Sequence, residues 1–339
     1  MRALVATIVA ILVLVRSGAA ERPVEFGIQT PPETTWEDLL ATWQEAELRG
    51  FESAWVYDHF IPIFGDKDGP ALEGWTALAA LAAKTEKIRI GVLVTGNTYR
   101  HPAVLAKMAT TVDHISKGRL EFGIGAGWFE YEHKAYGIPF YTDQERAERF
   151  AEAMEVVKLL WTADHPSFDG KFYNLHQAPF VPKPVQKPHP PIVIGGKGKK
   201  WIMPTVARYA DEWNVPVGVK PEAVKARMEL MKKECERIGR SPCVQRVSAL
   251  MPLINITNVP LAGAATRLGA RLLVERRIAD ALLAGSPDDI KKWIQGYVDV
   301  GVTRVILSLR PPFDRDLMRR FAEEVMPAFR PAVGTPTTR

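Results

Sequence analysis

The sequence predicts an α/β fold, a (β/α)8 TIM barrel with insertions. Eight short runs of β-branched and apolar residues alternate with longer segments of helical periodicity between residues 24 and 329. The runs are almost continuously apolar, which is typical of parallel strands that are buried on both faces. A doubly wound sheet is the alternative. The strand count, together with the lack of a Gly-x-Gly-x-x-Gly turn after the first strand, favours the barrel.

Apolar periodicity and capping residues set the boundaries of the elements. The predicted strands are residues 24–29, 53–58, 88–95, 120–126, 192–196, 212–217, 244–251 and 304–309. The predicted helices are residues 36–49, 75–84, 102–116, 142–161, 199–210, 221–238, 261–283, 287–300 and 314–329. Thr142-x-x-Glu145 predicts a capping box at the start of its helix. We expect a small hairpin over residues 167–175 that turns at Asp169-Gly170.

The composition is that of a globular fold and not of a nucleic-acid-binding protein. Of 339 residues, 47% are hydrophobic and 24% are charged, and the net charge is +5. A nucleic-acid-binding protein should show a basic stripe, whereas the local cluster here is limited to Lys197, Lys199 and Lys200. Two cysteines, Cys235 and Cys243, are too few for a disulfide framework, so we expect reduced thiols.

Residues 1–22 form a segment distinct from the predicted barrel. Met1-Arg2 precedes an apolar run over residues 3–15, and the small residues at 17–20 suit signal-peptidase cleavage. The run is short for a transmembrane span. A secretory signal and a start codon assigned too far upstream are both open, since Val24 begins the first strand. Residues 331–339 form a C-terminal tail.

In a barrel the chemistry lies at the carboxyl ends of the strands, so the residues there are the candidates. Polar and glycine residues occupy six of these ends: Gln29-Thr30, Asp58-His59, Thr95-Gly96-Asn97, Gly125-Ala126-Gly127-Trp128, Gly195-Gly196-Lys197-Gly198 and Trp213-Asn214. They predict a pocket that admits a large flat ligand. His59 could act as acid or base near neutral pH, tuned by the neighbouring Asp58. A loop histidine with local hydrogen bonds is the alternative.

Two further clusters adjoin strand ends. The glycine loop at residues 195–198 precedes a predicted helix, so its N–H groups and the helix dipole suit a phosphate, with an ordinary tight turn as the alternative. Glu130, Glu132 and His133 match no zinc-binding spacing, and we expect them to brace the loop through hydrogen bonds. Serine hydrolase chemistry lacks its Gly-x-Ser-x-Gly sequence.

Three long segments resemble the luciferase-like monooxygenase superfamily. They are SAWVYDHF, IRIGVLVTGNTYRHPAVLAKMATTVDHISKGRLEFGIGAGWFEYEHKAYGIPF and PKPVQKPHPPIVIGGKGKKWIMPTVARYADEWNVP. They are most similar to the deazaflavin branch, whose members use coenzyme F420. The resemblance covers residues 24 to 329 and implies one TIM-barrel domain over residues 23–330. It implies F420 as the cofactor, with FMN as the alternative.

The resemblance also implies roles for the strand ends. Asp58 and His59 would lie beside the reactive edge of the cofactor ring, where His59 hydrogen-bonds the substrate or a reduced-ring intermediate. Other strand ends would contact the cofactor: Gln29, Thr95, Asn97, Gly125 and Gly127. A non-prolyl cis peptide bond near Leu93–Val94 would back the ring. The phosphate cradle would comprise Gly195, Gly196, Lys197 and Gly198.

One position departs from the family. Sugar-phosphate dehydrogenases of this branch carry a glutamate acid where this chain has Trp128, and Glu130, two residues later, is a weak substitute. The resemblance therefore argues against sugar-phosphate oxidation. Trp128, Phe129 and Tyr131 would form an aromatic pocket wall, which suits an apolar or conjugated substrate.

The resemblance implies an oxidoreductase that moves a hydride between deazaflavin C5 and a small organic substrate. An FMN-dependent monooxygenase with a separate flavin reductase is the alternative. A ligand-binding barrel without turnover is a third, supported by the signal-like N-terminus. A homodimer and a cytoplasmic location are implied, with export as the alternative if residues 1–22 are a working signal. We expect no nucleic-acid, membrane or metal partner for the barrel.

Overall fold

The barrel predicted from the sequence is the fold of the protein. A computed structural model describes residues 23–259, 261–274 and 276–330. The signal-like segment at residues 1–22 and the tail at residues 331–339 lie outside the described residues. Within the described residues, no helix combines the length and the apolar character that crossing a bilayer requires.

Eight parallel strands close the barrel. In chain order, the strands of the described residues are β1 (Glu25–Gln29), β2 (Ser53–Val56), β3 (Arg89–Val92), β4 (Thr95–Gly96), β5 (Leu120–Gly125), β6 (Phe168–Asp169), β7 (Asn174–Leu175), β8 (Ile192–Gly195), β9 (Glu212–Val215), β10 (Arg246–Ile256), β11 (Leu283–Gly285) and β12 (Arg304–Ser308). The barrel order is β1-β2-β3-β5-β8-β9-β10-β12, and β12 pairs with β1 to close it. Strands β6 and β7 form the predicted hairpin, and β4 and β11 extend the sheet beside β5 and β10.

Helices connect the strands, and their starts coincide with capping residues. The helices of the described residues are α1 (Trp36–Leu48), α2 (Gly74–Lys84), α3 (Pro102–Ile115), α4 (Glu130–Ala135), α5 (Asp143–Thr162), α6 (Ile202–Tyr209), α7 (Pro221–Arg237), α8 (Ala262–Ala270), α9 (Arg276–Ala279), α10 (Pro287–Val298) and α11 (Arg315–Glu324), followed by a 3-10 turn at Met326–Phe329. At the start of α5 the Thr142 hydroxyl accepts a hydrogen bond from the Glu145 N–H, which confirms half of the predicted capping box, while the Glu145 carboxylate bonds Arg149 instead.

Several elements differ from the prediction. The third strand divides into β3 and β4 at a cis peptide bond between Leu93 and Val94. Helix α6 begins at Ile202 and not at residue 199, because a turn intervenes after the glycine loop. The single helix predicted over residues 261–283 is wrong, because the segment divides into α8 and α9 and reaches the buried strand β11 at Leu283. Strand β11 pairs with β10, which continues to Ile256 instead of ending at residue 251.

Trp55 fills the middle of the barrel. Its side chain is fully buried in a cluster with Leu93, Val193 and Ile306. The neighbouring strand makes room for the indole, since a Cβ at Gly91 would lie 2.4 Å from the Trp55 ring. Burial of an aromatic side chain contributes about 3 kcal/mol. The interior is therefore a packed core, which confines functional groups to the two ends of the barrel.

The amino-terminal ends of the strands hold a set of paired charges, here called the amino-terminal network: Glu25, Arg89, Glu121, Glu212, Arg246 and Arg304. The guanidinium of Arg304 is fully buried and lies 2.5 Å from Glu121, 3.0 Å from Glu212 and 2.6 Å from Glu25. Burial opposes the charge of Glu121, but its contact with Arg304 prevails and lowers its pKa to about 2. Burial raises the pKa of Glu212. The network closes this end of the barrel.

The two cysteines form a disulfide bond, so the expectation of reduced thiols is wrong. Cys235 in α7 is bonded to Cys243, eight residues later, and their Cα atoms are 5.7 Å apart. The chain reverses between them, with Gly239 in the left-handed region at φ 67° just past the helix. This reversal brings two cysteines of close sequence spacing within bonding distance. The bond ties α7 to the amino-terminal end of β10.

Candidate active site

His59 follows β2 at the carboxyl end of the barrel, and Glu132 is the carboxylate to which it bonds. His59 Nδ1 lies 3.0 Å from Glu132 Oε1, while Glu132 Oε2 accepts the Phe60 N–H at 2.6 Å. The Tyr99 hydroxyl also donates to Glu132. The interpretation of Asp58 as the carboxylate that tunes His59 is therefore wrong. Successive residues of extended chain project to opposite sides, which separates the roles of these two neighbours.

The hydrogen bonds that Glu132 accepts indicate which ring nitrogen of His59 carries the proton. Burial raises the pKa of Glu132, but hydrogen bonds from His59, Tyr99 and Phe60 outweigh it and leave that pKa below its ordinary value. An ionised carboxylate only accepts hydrogen bonds, so this contact favours a proton on Nδ1 of His59. Nε2 has no hydrogen-bonding partner among the described residues, and His59 retains 7% exposure.

Asp58 belongs to a separate buried ion pair. Two nitrogens of Arg100 lie 2.6 and 3.0 Å from its carboxylate, and the Thr95 hydroxyl donates to it. Burial raises the pKa of Asp58, and the contact with Arg100 opposes that rise. Thr95 also accepts the indole N–H of Trp75 at 3.1 Å. The side chains of Asp58 and Thr95, both predicted to contact the cofactor, are thus engaged by other protein groups.

Aromatic side chains surround the ring of His59. The ring centroids of Trp128, Phe129 and Tyr57 lie 5.7, 5.6 and 5.2 Å away in edge-on geometry. Trp128 is 59% exposed and Tyr131 is 56% exposed. Neighbouring exposed apolar groups of this kind mark binding surfaces. The three aromatic residues named from the sequence, Trp128, Phe129 and Tyr131, thus lie in a row beside His59.

The cis peptide bond expected near Leu93–Val94 lies between these two residues. Glycines receive the side chain that follows it, since a Cβ at Gly125 or at Gly195 would lie 3.0 Å from a methyl group of Val94. Gln29 Nε2 donates to the Leu93 carbonyl at 2.6 Å and holds the same segment. Gln29, Gly125 and Gly195 therefore shape the bulge at Val94.

Asn97 is the predicted contact that keeps an unused polar atom. Its side chain is 2% exposed and its Nδ2 lies 3.5 Å from the Tyr173 hydroxyl, whereas Oδ1 is buried without a partner among the described residues. An unpaired buried acceptor costs about 1–3 kcal/mol, which a ligand donor would recover. Gly127 serves the backbone instead, because it has φ of 81° and a Cβ there would lie 2.6 Å from the Thr98 hydroxyl.

The glycine loop after β8 leads into a helix whose first turn has no side-chain cap. Gly196 has φ of 137°, and the Gly198 carbonyl accepts the first two N–H groups at the start of α6. Trp201, at the N-cap, makes no side-chain hydrogen bond to the helix. Because the N–H groups of Ile202 and Met203 are engaged and Pro204 has none, the glycine loop, and not the start of α6, is what suits an anion. Three exposed lysines accompany the loop: Lys197, Lys199 and Lys200.

The expected bracing cluster involves two of its three members. His133 is buried, with Nδ1 at 2.8 Å from the Phe129 carbonyl and Nε2 at 2.7 Å from the Thr98 hydroxyl. Glu132 belongs to the cluster through the contacts described above. Glu130 is exposed and pairs with Lys134 at 2.9 Å. These bonds fix α4, a helix that the sequence did not predict, against the loops after β2 and β4.

Sequence reasoning missed Glu33 and the role of Tyr99. Glu33, in the loop after β1, accepts hydrogen bonds from the Tyr57 hydroxyl and the Ile63 N–H, and burial raises its pKa. Its position just past a strand end was the available signal. The contact of Tyr99 with Glu132 joins residues 33 positions apart, so no local pattern indicates it.

Relatives of the chain include deazaflavin-dependent and flavin-dependent enzymes. Residues 14–257 match the profile of the family described as luciferase-like monooxygenase. The F420-dependent glucose-6-phosphate dehydrogenase of Kineococcus radiotolerans is 25% identical and aligns with 91% of this chain and 98% of its own length. The FMNH2-dependent dimethylsulfone monooxygenase of Pseudomonas putida is 31% identical over 58% of this chain and 53% of its own length. The structure of an F420-dependent secondary alcohol dehydrogenase with an F420-acetone adduct, 22% identical, covers 91% of this chain and 100% of its own with a TM-score of 0.79, and it shares the barrel fold.

Proposed function

The chain belongs to the luciferase-like monooxygenase family, and on that basis we propose that it is an oxidoreductase dependent on coenzyme F420. Its proposed substrate is a small apolar or conjugated organic molecule that gains or loses a hydride. The observation that carries the proposal is the surroundings of His59, where one open ring nitrogen lies among aromatic side chains at the carboxyl end of the barrel. Barrel enzymes carry out their chemistry at this end.

Three features of this end would hold the cofactor. Asn97 Oδ1 is a buried acceptor that lacks a partner among the described residues, and it suits a ring donor. The bulge at Val94, seated against Gly125 and Gly195, would support the flat ring. The glycine loop at residues 195–198, flanked by the exposed Lys199 and Lys200, would bind a phosphate. These groups fit a cofactor that has a flat polar ring and a phosphate.

When bound, coenzyme F420 would donate or accept the hydride. Reduction of a carbonyl substrate also takes up one proton, and oxidation of an alcohol substrate releases one. His59 is the residue placed to hold that proton. Its Nδ1–H is committed to Glu132, so Nε2 accepts a proton from the substrate or, once protonated, returns it. The same atom serves both directions of the reaction.

The aromatic row supports the proposed class of substrate. Phe129 lies between Trp128 and Tyr131, with centroids 5.1 and 6.1 Å away. Such rings bind planar apolar groups by stacking and by burial of area. The resemblance places the acid of sugar-phosphate dehydrogenases at Trp128, which has no ionisable group. The proposal therefore departs from the substrate named for the glucose-6-phosphate dehydrogenase relative.

The relatives and the local charge support F420 over FMN. The F420-dependent relative aligns with 91% of this chain, whereas the FMNH2-dependent relative aligns with 58%. Lys199 and Lys200 are exposed beside the glycine loop and suit the anionic tail of F420. An FMN-dependent monooxygenase with a separate reductase is the second candidate, because the phosphate of FMN would fit the same loop.

Binding and anaerobic turnover test the proposal. We expect F420 to titrate the protein at lower concentrations than FMN does. We expect reduced F420 to be oxidised when an enone, an imine or a nitroaromatic is added, and glucose 6-phosphate to leave oxidised F420 unchanged. Tighter binding of FMN together with reductase-dependent oxygenation would favour the second candidate. An F420 spectrum unaffected by the protein would refute the proposal.

A matched pair of lysine variants locates the cofactor tail. Lys200→Ala should weaken the binding of F420 more than that of FMN, because only F420 carries the anionic tail. Lys134→Ala removes an exposed lysine that pairs with Glu130 on α4, and it should weaken neither. Equal losses for both cofactors in Lys200→Ala would contradict the assignment of the tail.

The oligomeric state and the location stay predictions. Light scattering of the purified protein tests the homodimer.

A disulfide bond is typical of oxidising compartments, whereas a deazaflavin made in the cytoplasm favours a cytoplasmic enzyme. Mass spectrometry of the protein from its native host separates the two, because a mature chain that begins near Glu21 would establish export.

A further inference from the structure

We infer that Glu132 is the positioning residue of the site: it selects the Nδ1–H tautomer of His59 and so presents Nε2 to the substrate. The kinetic part of this inference rests on the proposed function, whereas its structural part concerns the chain alone. Glu132 touches no open surface, because it is fully buried, so it acts through His59.

The Glu132 carboxylate is held in place by the hydrogen bonds that it accepts. Three donors converge on it from three parts of the chain: the His59 ring, the Phe60 N–H and the Tyr99 hydroxyl. Burial and Glu132 itself raise the pKa of Tyr99, which keeps that hydroxyl protonated as a donor. A carboxylate with three donors fixes its own plane and therefore fixes the direction of the bond to Nδ1.

The contact with Glu132 favours one of the two tautomers of His59. A neutral imidazole carries its proton on one nitrogen, and the hydrogen bond made by that nitrogen decides which one it is. If Nε2 carried the proton of His59, the Nδ1 lone pair would meet the carboxylate of Glu132 at 3.0 Å, which is repulsive. The observed contact therefore favours Nδ1–H and leaves the Nε2 lone pair open. Aromatic edges from Tyr57, Trp128 and Phe129 hold the ring in that orientation.

The other carboxylates around His59 bond groups other than its ring. Glu33, whose charge also acts on His59, bonds the Tyr57 hydroxyl and the Ile63 N–H. Asp58 is paired with Arg100. Among the described residues, Glu132 is the carboxylate that hydrogen-bonds the His59 ring. One short helix thus supplies the carboxylate from behind the histidine, four residues after Trp128, the position where the resemblance expects an acid beside the substrate.

A kinetic cycle tests the coupling between Glu132 and His59. Glu132→Gln should lower kcat about 10–100-fold, because a neutral amide holds the tautomer less firmly, with a smaller change in KM. In a His59→Gln background the same change should have little further effect. Glu130→Gln is the matched control, since this exposed carboxylate on the same helix pairs with Lys134 and should leave kcat unchanged. Equal losses from Glu132→Gln in both backgrounds would assign Glu132 a structural role.

Nitrogen NMR of the cofactor-free protein tests the structural part without any activity. The chain has seven histidines, and the spectrum of His59→Gln identifies the signals of His59. At an alkaline pH at which the ring is neutral, we expect the Nδ1–H tautomer in the wild type and a mixture in Glu132→Gln. Tyr99→Phe removes one donor from the same cluster but leaves the bond between Glu132 and His59, so it should keep the wild-type tautomer.

The outcomes separate this inference from the proposed function. If F420 does not bind but the tautomer changes as expected, Glu132 remains the positioning residue and the cofactor assignment fails. An Nε2–H tautomer in the wild type would overturn the inference even if F420 is turned over. A tautomer that shifts equally in Tyr99→Phe and Glu132→Gln would also overturn it, because general damage to the cluster would then explain both.

Discussion

The two ends of the barrel differ in how their buried polar groups are paired. At the amino-terminal end, the guanidinium of Arg304 lies 2.5–3.0 Å from three carboxylates, and Glu212 Oε1 is the oxygen there that lacks a hydrogen-bonding partner among the described residues. At the carboxyl end, Nε2 of His59 and Oδ1 of Asn97 lack protein partners among the described residues. The amino-terminal end is therefore built around ion pairs, whereas the carboxyl end presents open polar atoms beside an aromatic surface.

This difference separates stability from binding. Removing one partner of a buried ion pair is costly, because the other charge is left without compensation. An unpaired buried acceptor costs stability in the free protein and returns that cost when a ligand donates to it. We therefore expect substitutions at the amino-terminal network to change unfolding and substitutions at the carboxyl end to change binding and turnover.

The largest expected effect on unfolding is that of Arg304→Met. It removes the buried cation that Glu121 and Glu212 both contact and leaves them only the partly exposed Arg89 and Arg246, which should lower the free energy of unfolding by about 3–5 kcal/mol in a urea titration. Arg319→Met, at an exposed ion pair on α11, is the control and should unfold near the wild-type midpoint. Equal midpoints for Arg304→Met and the wild type would show that the amino-terminal network does not stabilise the fold.

The acid response of the same network is the next largest. The folded-state pKa of Glu121 is about 2, below the ordinary value of 4.5, so its charged form favours the folded state. The stability that it contributes is complete above about pH 4.5 and is lost as the pH falls towards about 2. Urea midpoints should fall across this window, and they should fall less in Glu121→Gln. If the two proteins show the same slope, Glu121 is not the group that titrates. Glu130→Gln, an exposed carboxylate variant, should keep the wild-type slope.

A smaller effect is expected from the disulfide bond at the amino-terminal end. A double change, Cys235→Ser with Cys243→Ser, should lower the free energy of unfolding by about 2 kcal/mol, because a short loop is released in the unfolded chain. Cofactor binding should stay at the wild-type level. Reductant should destabilise the wild type by a similar amount and leave the double variant unaffected. A loss of cofactor affinity would instead connect this bond to the carboxyl end.

Local patterns predicted most of the barrel but not the contacts between its ends and loops. The eight strands follow from apolar runs, and their carboxyl ends fix where His59 and Asn97 lie. Strand β11 escaped prediction because its three residues lie between two helical segments and become a strand only through their pairing with β10. Glu132 was expected to brace the loop, but its contact with His59 escaped prediction because it spans 73 positions. The charges at strand starts, such as Glu121 and Arg304, were a visible signal of the amino-terminal network, but their pairing required the closed barrel.

The binding of F420 to two variants, one at each end of the barrel, tests whether the carboxyl end serves binding and the amino-terminal end serves stability. Asn97→Ala removes the buried acceptor without a partner, so it should weaken F420 binding about tenfold, the loss of one hydrogen bond, without lowering the urea midpoint. Arg304→Met, measured where it remains folded, should bind F420 with the wild-type dissociation constant. Unchanged binding in Asn97→Ala together with weakened binding in Arg304→Met would contradict the division between a closed, stabilising end and an open, binding end.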